Sequence, residues 1–134
     1  MGLELIPALH RATHRVALEL SEAGPTPSQG EAQLLVHLLQ AGACTVGALH
    51  AALGHRRSTL TAILDRLERA GWARRGLHAA DRRSFLVELT PTGRSVAERA
   101  LEALSAMERR WKAKVSAREW AAAQKVLKAI SAEA

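Results

Sequence analysis

Aromatic residues, cysteines and long apolar runs are all scarce in this chain. Its 134 residues include three Trp, one Phe, no Tyr and a single Cys. One cysteine excludes an intramolecular disulfide. No apolar stretch approaches the roughly 18 residues of a membrane-spanning helix, and the N-terminus lacks the charged segment, apolar run and cleavage site of a signal peptide. We therefore expect a soluble, cytoplasmic protein in a reducing compartment.

Apolar residues nevertheless make up 48% of the chain, which is enough for a hydrophobic core and argues against disorder. The length fits one domain. Because Ala and Leu dominate while aromatic residues are few, the composition favours helices over strands.

Positive charge is concentrated in one segment. The formal net charge is +6, and residues 55–94 contain nine arginines, no lysine and four acidic residues, so this segment alone carries +5. A concentrated basic patch is what a phosphate-binding surface requires, and it points to nucleic acid or an acidic membrane surface as the partner. From composition alone, the alternative is that the arginines decorate a solvated surface.

Glycine and proline divide the chain into segments with helical periodicity. The predicted helices cover residues 3–22, 27–40, 46–53, 57–70, 91–114 and a last stretch that follows Ser116. Two capping boxes are predicted, one in which Thr26 and Gln29 begin the second helix and one in which Ser116 and Glu119 begin the last. Pro27 suits the first position of the second helix.

Only two runs look like strands, Trp72–Arg75 and Phe85–Leu89, and the second alternates in the way a half-buried strand does. A polar, charged loop joins them. Helix, glycine turn, helix and a two-stranded wing together predict a mainly α fold with a small β-wing, the winged helix-turn-helix.

The helix predicted at 57–70, here called the reader helix, has two distinct faces. One carries apolar residues at helical spacing, namely Leu60, Ile63, Leu64 and Leu67. The other carries short polar side chains and arginines, namely Arg57, Ser58, Thr59, Thr61, Ala62 and Arg66. A helix fits the major groove of DNA, where Arg can bond guanine and where Ser and Thr reach base edges or phosphates. Taken singly, each of these residues could equally be an ordinary solvated side chain.

The wing loop carries the run Asp81, Arg82 and Arg83. An arginine at a wing tip can enter a minor groove, where its charge is favoured, and a neighbouring aspartate could orient it. Ordinary hairpin-tip charges are the alternative interpretation.

Two stretches of the sequence together resemble a known family. The run TVGALHAALGHRRSTLTAILDRLERAGWARR, followed by DRRSFLVELTPTGR, is similar to the MarR family of bacterial regulators. The order of the helices outside these motifs fits as well, so the resemblance extends over essentially the whole chain.

The resemblance implies one MarR-like domain of six helices over residues 1–134. Residues 24–94 would form the DNA-binding part, and residues 1–23 and 91–134 would supply helices that build a homodimer. It implies a transcriptional regulator that binds a pseudo-palindromic site in double-stranded DNA, most often a repressor relieved by a small aromatic effector.

Carried over by position, the resemblance places Ser58, Thr59 and Thr61 in the major groove. Arg83 becomes the wing-tip arginine, with Asp81 orienting it. The full set of predicted DNA-binding residues is Arg56, Arg57, Ser58, Thr59, Thr61, Arg66, Asp81, Arg82 and Arg83.

Two departures from the family pattern bear on these expectations. His55 and Arg56 stand where such proteins often have an apolar residue and then Ser. Arg56 cannot cap a helix as Ser does, so either it contacts phosphate itself or the reader helix begins less firmly. The lack of Tyr could mean a reduced effector pocket.

Catalysis has little support in the sequence. There is no G-x-S-x-G elbow and no G-x-x-x-x-G-K phosphate loop. We expect no enzyme, no catalytic residues, no cofactor and no resident metal.

Two features leave a sensing role open. Cys44 could react with oxidants if it were exposed in an electropositive site, although a small half-buried residue is the better interpretation. His10 and His14 stand four residues apart on one helix face, a spacing that can hold a metal, but two histidines give no closed site.

Two other functions compete with sequence-specific DNA binding. The first is a winged-helix protein-interaction module that never touches DNA, and the arginine-rich segment argues against it. The second is a basic helical protein that binds RNA or membrane without sequence choice.

Overall fold

A computed structural model describes residues 2–22, 27–77 and 85–132. In these ranges the chain forms six helices and three strands. The helices are α1 (Ile6–Glu22), α2 (Gln29–Ala41), α3 (Val46–Leu53), α4 (Arg57–Arg69), α5 (Pro91–Lys112) and α6 (Ala117–Ser131), and the strands are β1 (Cys44–Thr45), β2 (Ala73–Leu77) and β3 (Phe85–Leu89). The predicted fold class is therefore confirmed. Two compact units can be distinguished, Met1–Ala103 and Leu104–Ala134.

The capping residue of α2 differs from the prediction. The N-cap is Ser28, whose Oγ accepts a hydrogen bond from the Glu31 N–H, while Glu31 Oε2 accepts one from the Ser28 N–H. The predicted box of Thr26 and Gln29 is wrong, because the same S/T-x-x-E/Q pattern recurs two residues later with a carboxylate at its end. Pro27 thus precedes the cap instead of opening the helix.

The helices α3 and α4 form the helix-turn-helix. Thr45 caps α3 by accepting a hydrogen bond from the Ala48 N–H at 3.1 Å. Gly54 ends α3 with a φ of 69°, in the left-handed region that favours glycine. The reader helix α4 then buries its predicted stripe completely, since Leu60, Ile63, Leu64 and Leu67 are all at most 3% exposed.

A single hydrophobic core in the first unit holds these helices together. Its other members come from α2, α3, both long strands and the start of α5, namely Leu34, Leu35, Leu38, Leu49, Ala73, Val87, Val96 and Ala97. At about 25 cal/mol per Å² of apolar surface, burying each large aliphatic side chain contributes about 1.5 to 3 kcal/mol. The reader helix is therefore fixed to the rest of the unit along its whole apolar face.

The sheet is antiparallel, with strand order β1-β3-β2. In the β2–β3 hairpin, Ala73 faces Leu89 and Arg74 faces Glu88. The third strand, β1, was not predicted. It has only two residues, with Cys44 opposite Val87, and a run of that length has no period that a sequence pattern could reveal.

The start of α5 is bonded to the end of the reader helix and the start of the wing. The Thr90 N–H donates to the Trp72 carbonyl at 3.0 Å, and the Thr90 hydroxyl donates to the Gly71 carbonyl at 2.6 Å. The same hydroxyl oxygen caps α5 by accepting from the Gly93 N–H at 3.0 Å. A Cβ on Gly93 would lie 1.7 Å from the Trp72 carbonyl oxygen, so this junction tolerates only glycine there.

In the second unit, α6 begins with the predicted capping box of Ser116 and Glu119. Because Ser116 donates to its carboxylate, the pKa of Glu119 is lowered. The Lys112 ammonium lies 5.6 Å from the centre of the Trp120 ring. Three apolar side chains on α6, Val126, Leu127 and Ile130, are each more than 40% exposed.

Candidate nucleic-acid interface

The N-terminal half of the reader helix presents a row of exposed polar side chains. We call this set the reader surface, and its members are Arg56, Arg57, Ser58, Thr59 and Thr61, all exposed. Ser58 lies opposite the buried stripe, with Thr59 and Thr61 on either side of it, while Arg56 and Arg57 are exposed at the start of the helix. The structure thus brings together five of the residues that the sequence predicts to bind DNA.

The backbone at the start of α4 is also open. Arg56 is the N-cap and makes no side-chain capping bond, as the sequence predicts for an arginine in this position. The first amides of a helix have no acceptor within the helix, and the helix dipole places a partial positive charge there. Amides and arginine side chains at one helix end form a favourable position for a phosphate group.

Two arginines of residues 55–94, Arg74 and Arg75, form ion pairs with carboxylates of the same segment. Arg74 bonds Glu88 across the hairpin, with 2.8 Å between Nε and Oε1, and Arg75 bonds both Glu68 and Asp65, the latter with 3.0 Å between Nη2 and Oδ1. These arginines fasten β2 to β3 and to the reader helix, and their charge is locally neutralised.

Arg56 and Arg57, at the start of the reader helix, differ from Arg74 and Arg75. Within residues 2–22, 27–77 and 85–132, neither makes an ion pair with a carboxylate. Uncompensated positive charge therefore lies at the entry of the reader helix, where a DNA phosphate would need it.

Arg66 is held by a different helix. Its Nε donates to Glu31 Oε1 on α2 at 2.7 Å. Glu31 is 9% exposed, and sequence reasoning missed it as a residue that bears on the interface. The signal that could have found it is the pattern Ser28-x-x-Glu31, which sets a carboxylate at the start of α2.

A cleft of about 340 Å³ adjoins the reader surface. Its lining comes from the start of α3, from α4 and from the wing, namely Thr45, Val46, Gly47, His50, Arg57, Leu60, Thr61 and Phe85. Phe85 is 47% exposed although it is a large apolar residue. Sequence reasoning did not place His50 or Phe85 near the predicted DNA-binding residues, because only the fold brings them beside Arg57.

Three predicted DNA-binding residues, Asp81, Arg82 and Arg83, lie outside the described residues. The described strands on either side of them are β2, which ends at Leu77, and β3, which begins at Phe85.

Cys44 is half-buried, and its Sγ donates to the Gly42 carbonyl at 3.2 Å. Burial raises the pKa of the thiol, because it disfavours the charged thiolate. Both observations favour the structural interpretation of this residue over a redox sensor.

His10 and His14 are exposed on α1. Among the described residues, no group of three or more His, Cys, Asp or Glu side chains is placed to hold a metal ion. Nor does any helix in this part of the chain have the length and apolar character needed to cross a membrane.

Comparison with known proteins agrees with this arrangement. The model of the MarR family matches residues 23–84. The HTH-type transcriptional regulator PecS of Dickeya dadantii is 49% identical over 51 residues, which are 38% of this chain and 31% of PecS. The chain thus matches about a third of that curated relative's length.

Solved structures extend the likeness to nearly the whole chain. A probable transcriptional regulator from Pseudomonas aeruginosa is 25% identical, with a TM-score of 0.78 over 95% of this chain and 96% of that one. A mutant of MarR from E. coli, solved in complex with operator DNA, is 26% identical, with a TM-score of 0.79 over 94% of this chain and 90% of that one. Residues 23–84 therefore match the MarR family, and over nearly its whole length the chain is similar to solved transcriptional regulators, among them a MarR bound to operator DNA.

Proposed function

We propose that this protein is a transcriptional regulator that binds a specific sequence of double-stranded DNA as a homodimer. The observation that carries the proposal is the reader surface, where Arg56 and Arg57 are exposed beside the open N-terminus of α4. In a helix-turn-helix, the N-terminal residues of the second helix contact base edges. Contacts to phosphates fix the position of the helix on the DNA, and contacts to base edges determine which sequence is bound.

The three hydroxyl side chains of the reader surface would supply base contacts. Ser58, Thr59 and Thr61 are short, so the helix backbone can approach the floor of a groove that is about 12 Å wide. Arg56 and Arg57 would neutralise phosphates on its rim. The arginines of the wing loop, Arg82 and Arg83, would reach the neighbouring minor groove, and Asp81 would orient Arg83.

Dimerisation would come from the terminal helices, over residues 1–23 and 91–134. Apolar side chains are exposed on α1, where Ile6 is 63% and Leu18 is 44% exposed, and separately on α6. A second copy of the chain would cover such faces. Two reader helices would then meet successive major grooves about 34–36 Å apart, as a pseudo-palindromic operator requires.

We propose repression as the mode of action, in the cytoplasm and without enzymatic activity, with a small aromatic effector relieving it. The cleft beside α4 supports the effector, since it combines apolar Leu60 and Phe85 with Arg57. Arg57 and Thr61 belong both to this cleft and to the reader surface. A molecule bound in the cleft would occupy these two residues and so bind only the DNA-free protein. It would therefore shift the equilibrium away from the DNA complex.

Fluorescence anisotropy tests the proposed function. The wild-type chain would first select short duplexes from a randomised pool, and the labelled duplex would then be titrated at several salt concentrations with excess nonspecific competitor. Binding that survives the competitor and weakens with salt supports a sequence-reading regulator. Binding that the competitor abolishes indicates a nonspecific polyanion binder, and no binding at low salt favours the protein-interaction module.

Replacing Arg57 by Met should weaken operator binding and lower the dependence on salt. Removing one phosphate contact reduces the slope of log affinity against log salt by about 1, and we expect this for Arg57 because it has no carboxylate partner in the described structure. The matched control is Arg74→Met, since Arg74 is bound to Glu88. Equal slopes for wild type and Arg57→Met would exclude a phosphate contact.

Replacing Arg83 by Ala should weaken operator binding while leaving the dimer intact. A minor-groove arginine contributes through its charge in the groove, so the loss should be largest on duplexes with narrow, A·T-rich flanks. Anisotropy measures the affinity, and light scattering measures the oligomeric state. If the variant binds as tightly as the wild type, the wing assignment is wrong.

A further inference from the structure

Arg66 is the one arginine of the reader helix whose side chain is bonded to another helix in the described structure. Its Nε lies 2.7 Å from Oε1 of Glu31, at the start of α2. Arg66 stands about two helical turns after Thr59, so both side chains leave α4 on the same side. The ion pair thus acts on a flank of the reader helix that adjoins the reader surface.

Glu31 uses both of its carboxylate oxygens. Oε2 accepts from the Ser28 N–H at 3.1 Å and completes the cap of α2, while Oε1 accepts from Arg66. The carboxylate is largely buried, whereas the Arg66 side chain is 48% exposed. A buried carboxylate that loses its cation is left with an uncompensated charge, so the geometry of this pair is held firmly.

A second contact places α2 against α4 at the same point. Gly30 precedes Glu31, and a Cβ on Gly30 would come within 3.2 Å of Ile63 Cδ1. Ile63 is 3% exposed and belongs to the buried stripe of the reader helix. The first turn of α2 therefore approaches α4 closely through a residue with no side chain, and the neighbouring residue forms the ion pair.

On this geometry we propose that Glu31 is a positioning residue for DNA reading, which fixes the orientation of the reader helix through Arg66. Arg66 is then occupied within the protein and is not the DNA contact that its sequence position suggests. The inference rests on the proposed DNA-binding function and adds a residue outside the helix-turn-helix to it.

The test compares Arg66→Met, Glu31→Gln and the double variant on two DNAs, the selected duplex and an unrelated duplex of equal length. Gln can still serve in a capping box, so Glu31→Gln removes the charge while keeping the cap. We expect each single variant to bind the selected duplex about fivefold more weakly, and the double variant to be no weaker than the worse single variant, since the two residues act as one unit.

Two readouts separate positioning from a merely structural role and from a phosphate contact. Loss of folded protein would reduce binding to both duplexes equally, whereas a misplaced reader helix should lose affinity for the selected duplex and keep its affinity for the unrelated one. Because no phosphate contact is removed, the salt slope of Arg66→Met should equal that of the wild type, in contrast to Arg57→Met.

The inference is overturned if Arg66→Met lowers the salt slope by about 1, or if Glu31→Gln binds the selected duplex as well as the wild type does. Additive losses in the double variant overturn it as well. A wild-type chain that binds no duplex overturns the proposed function and this inference together, whereas the preceding outcomes leave the proposed function standing.

Discussion

Replacing Gly93 by Ala should destabilise the fold by about 3 kcal/mol or more, as expected when an atom is forced into an occupied position and the backbone must move. The added Cβ would lie 1.7 Å from the Trp72 carbonyl oxygen, 2.6 Å from its carbon and 2.8 Å from the Trp72 Cα. All three are backbone atoms, so no rotamer change relieves the collision. Chemical denaturation followed by circular dichroism measures the change.

Helix propensity alone predicts that Gly93→Ala increases the stability of the fold, which is the opposite of the effect expected here. Gly93 lies within α5, where Ala is favoured over Gly by about 1 kcal/mol in the absence of other contacts. Gly47 in the first turn of α3 provides the matched control, because the nearest atom to its Cβ would be Thr45 Oγ1 at 4.0 Å. Gly47→Ala should therefore be neutral or stabilising. A Gly93→Ala protein as stable as the wild type would contradict the close approach.

The same substitution should affect DNA binding through the wing. Thr90 bonds both Gly71 and Trp72, so the first turn of α5 is fixed where the reader helix ends and β2 begins. An alanine at position 93 must push these segments apart. In the folded fraction of the variant we expect weaker binding to the selected duplex, because the angle between wing and reader helix is set at this junction.

The sequence could predict the reader helix well, and the reason is local. Its apolar residues recur at a helical period, and glycines mark both sides of it at Gly54 and Gly71, both of which have positive φ. Each of these signals lies within a few residues of the structure it specifies. The same holds for α3 and for the capping box at Ser116.

Where the prediction failed, the deciding contact is remote in sequence. Two overlapping capping boxes stand at the start of α2, and local pattern has no means to choose between them. The structure uses Glu31, whose other oxygen binds Arg66, so a contact made 35 residues away accompanies the choice of cap. The short strand β1 also depends on a contact that is remote in sequence, since Cys44 pairs with Val87 on β3.

The distribution of free positive charge could not be predicted from the sequence either, because ion pairing depends on the fold. Counting residues 55–94 predicts a basic patch, but the count treats all nine arginines alike. In the fold, Arg74 and Arg75 bind carboxylates of the same segment, and Arg66 binds one from α2. Only the structure reveals that Arg56 and Arg57, at the entry of the reader helix, are exposed and make no ion pair in the described part of the chain.

Placing aspartate at both Leu127 and Ile130 should convert the dimer to monomers. These side chains are 47% and 43% exposed on one face of α6, and a second copy of the chain would bury them. Moving a carboxylate into such an interface without a partner costs several kcal/mol, so we expect the dimer dissociation constant to rise at least about 100-fold. Sedimentation equilibrium of the variant and the wild type measures it.

The matched control is the double substitution Ala121→Asp and Ala129→Asp. It introduces the same charge on α6 at two exposed positions, and neither position is three or four residues from Leu127 or Ile130, so both lie away from that face. This variant should remain dimeric.

A dimer binds both half-sites of the operator at once, whereas each monomer binds only one half-site and therefore binds more weakly. We therefore expect operator affinity to fall in the Leu127→Asp and Ile130→Asp variant and to stay unchanged in the control. If both variants stay dimeric, another surface forms the interface; if the wild type itself is monomeric, the two-half-site arrangement is wrong, whatever DNA the reader surface binds.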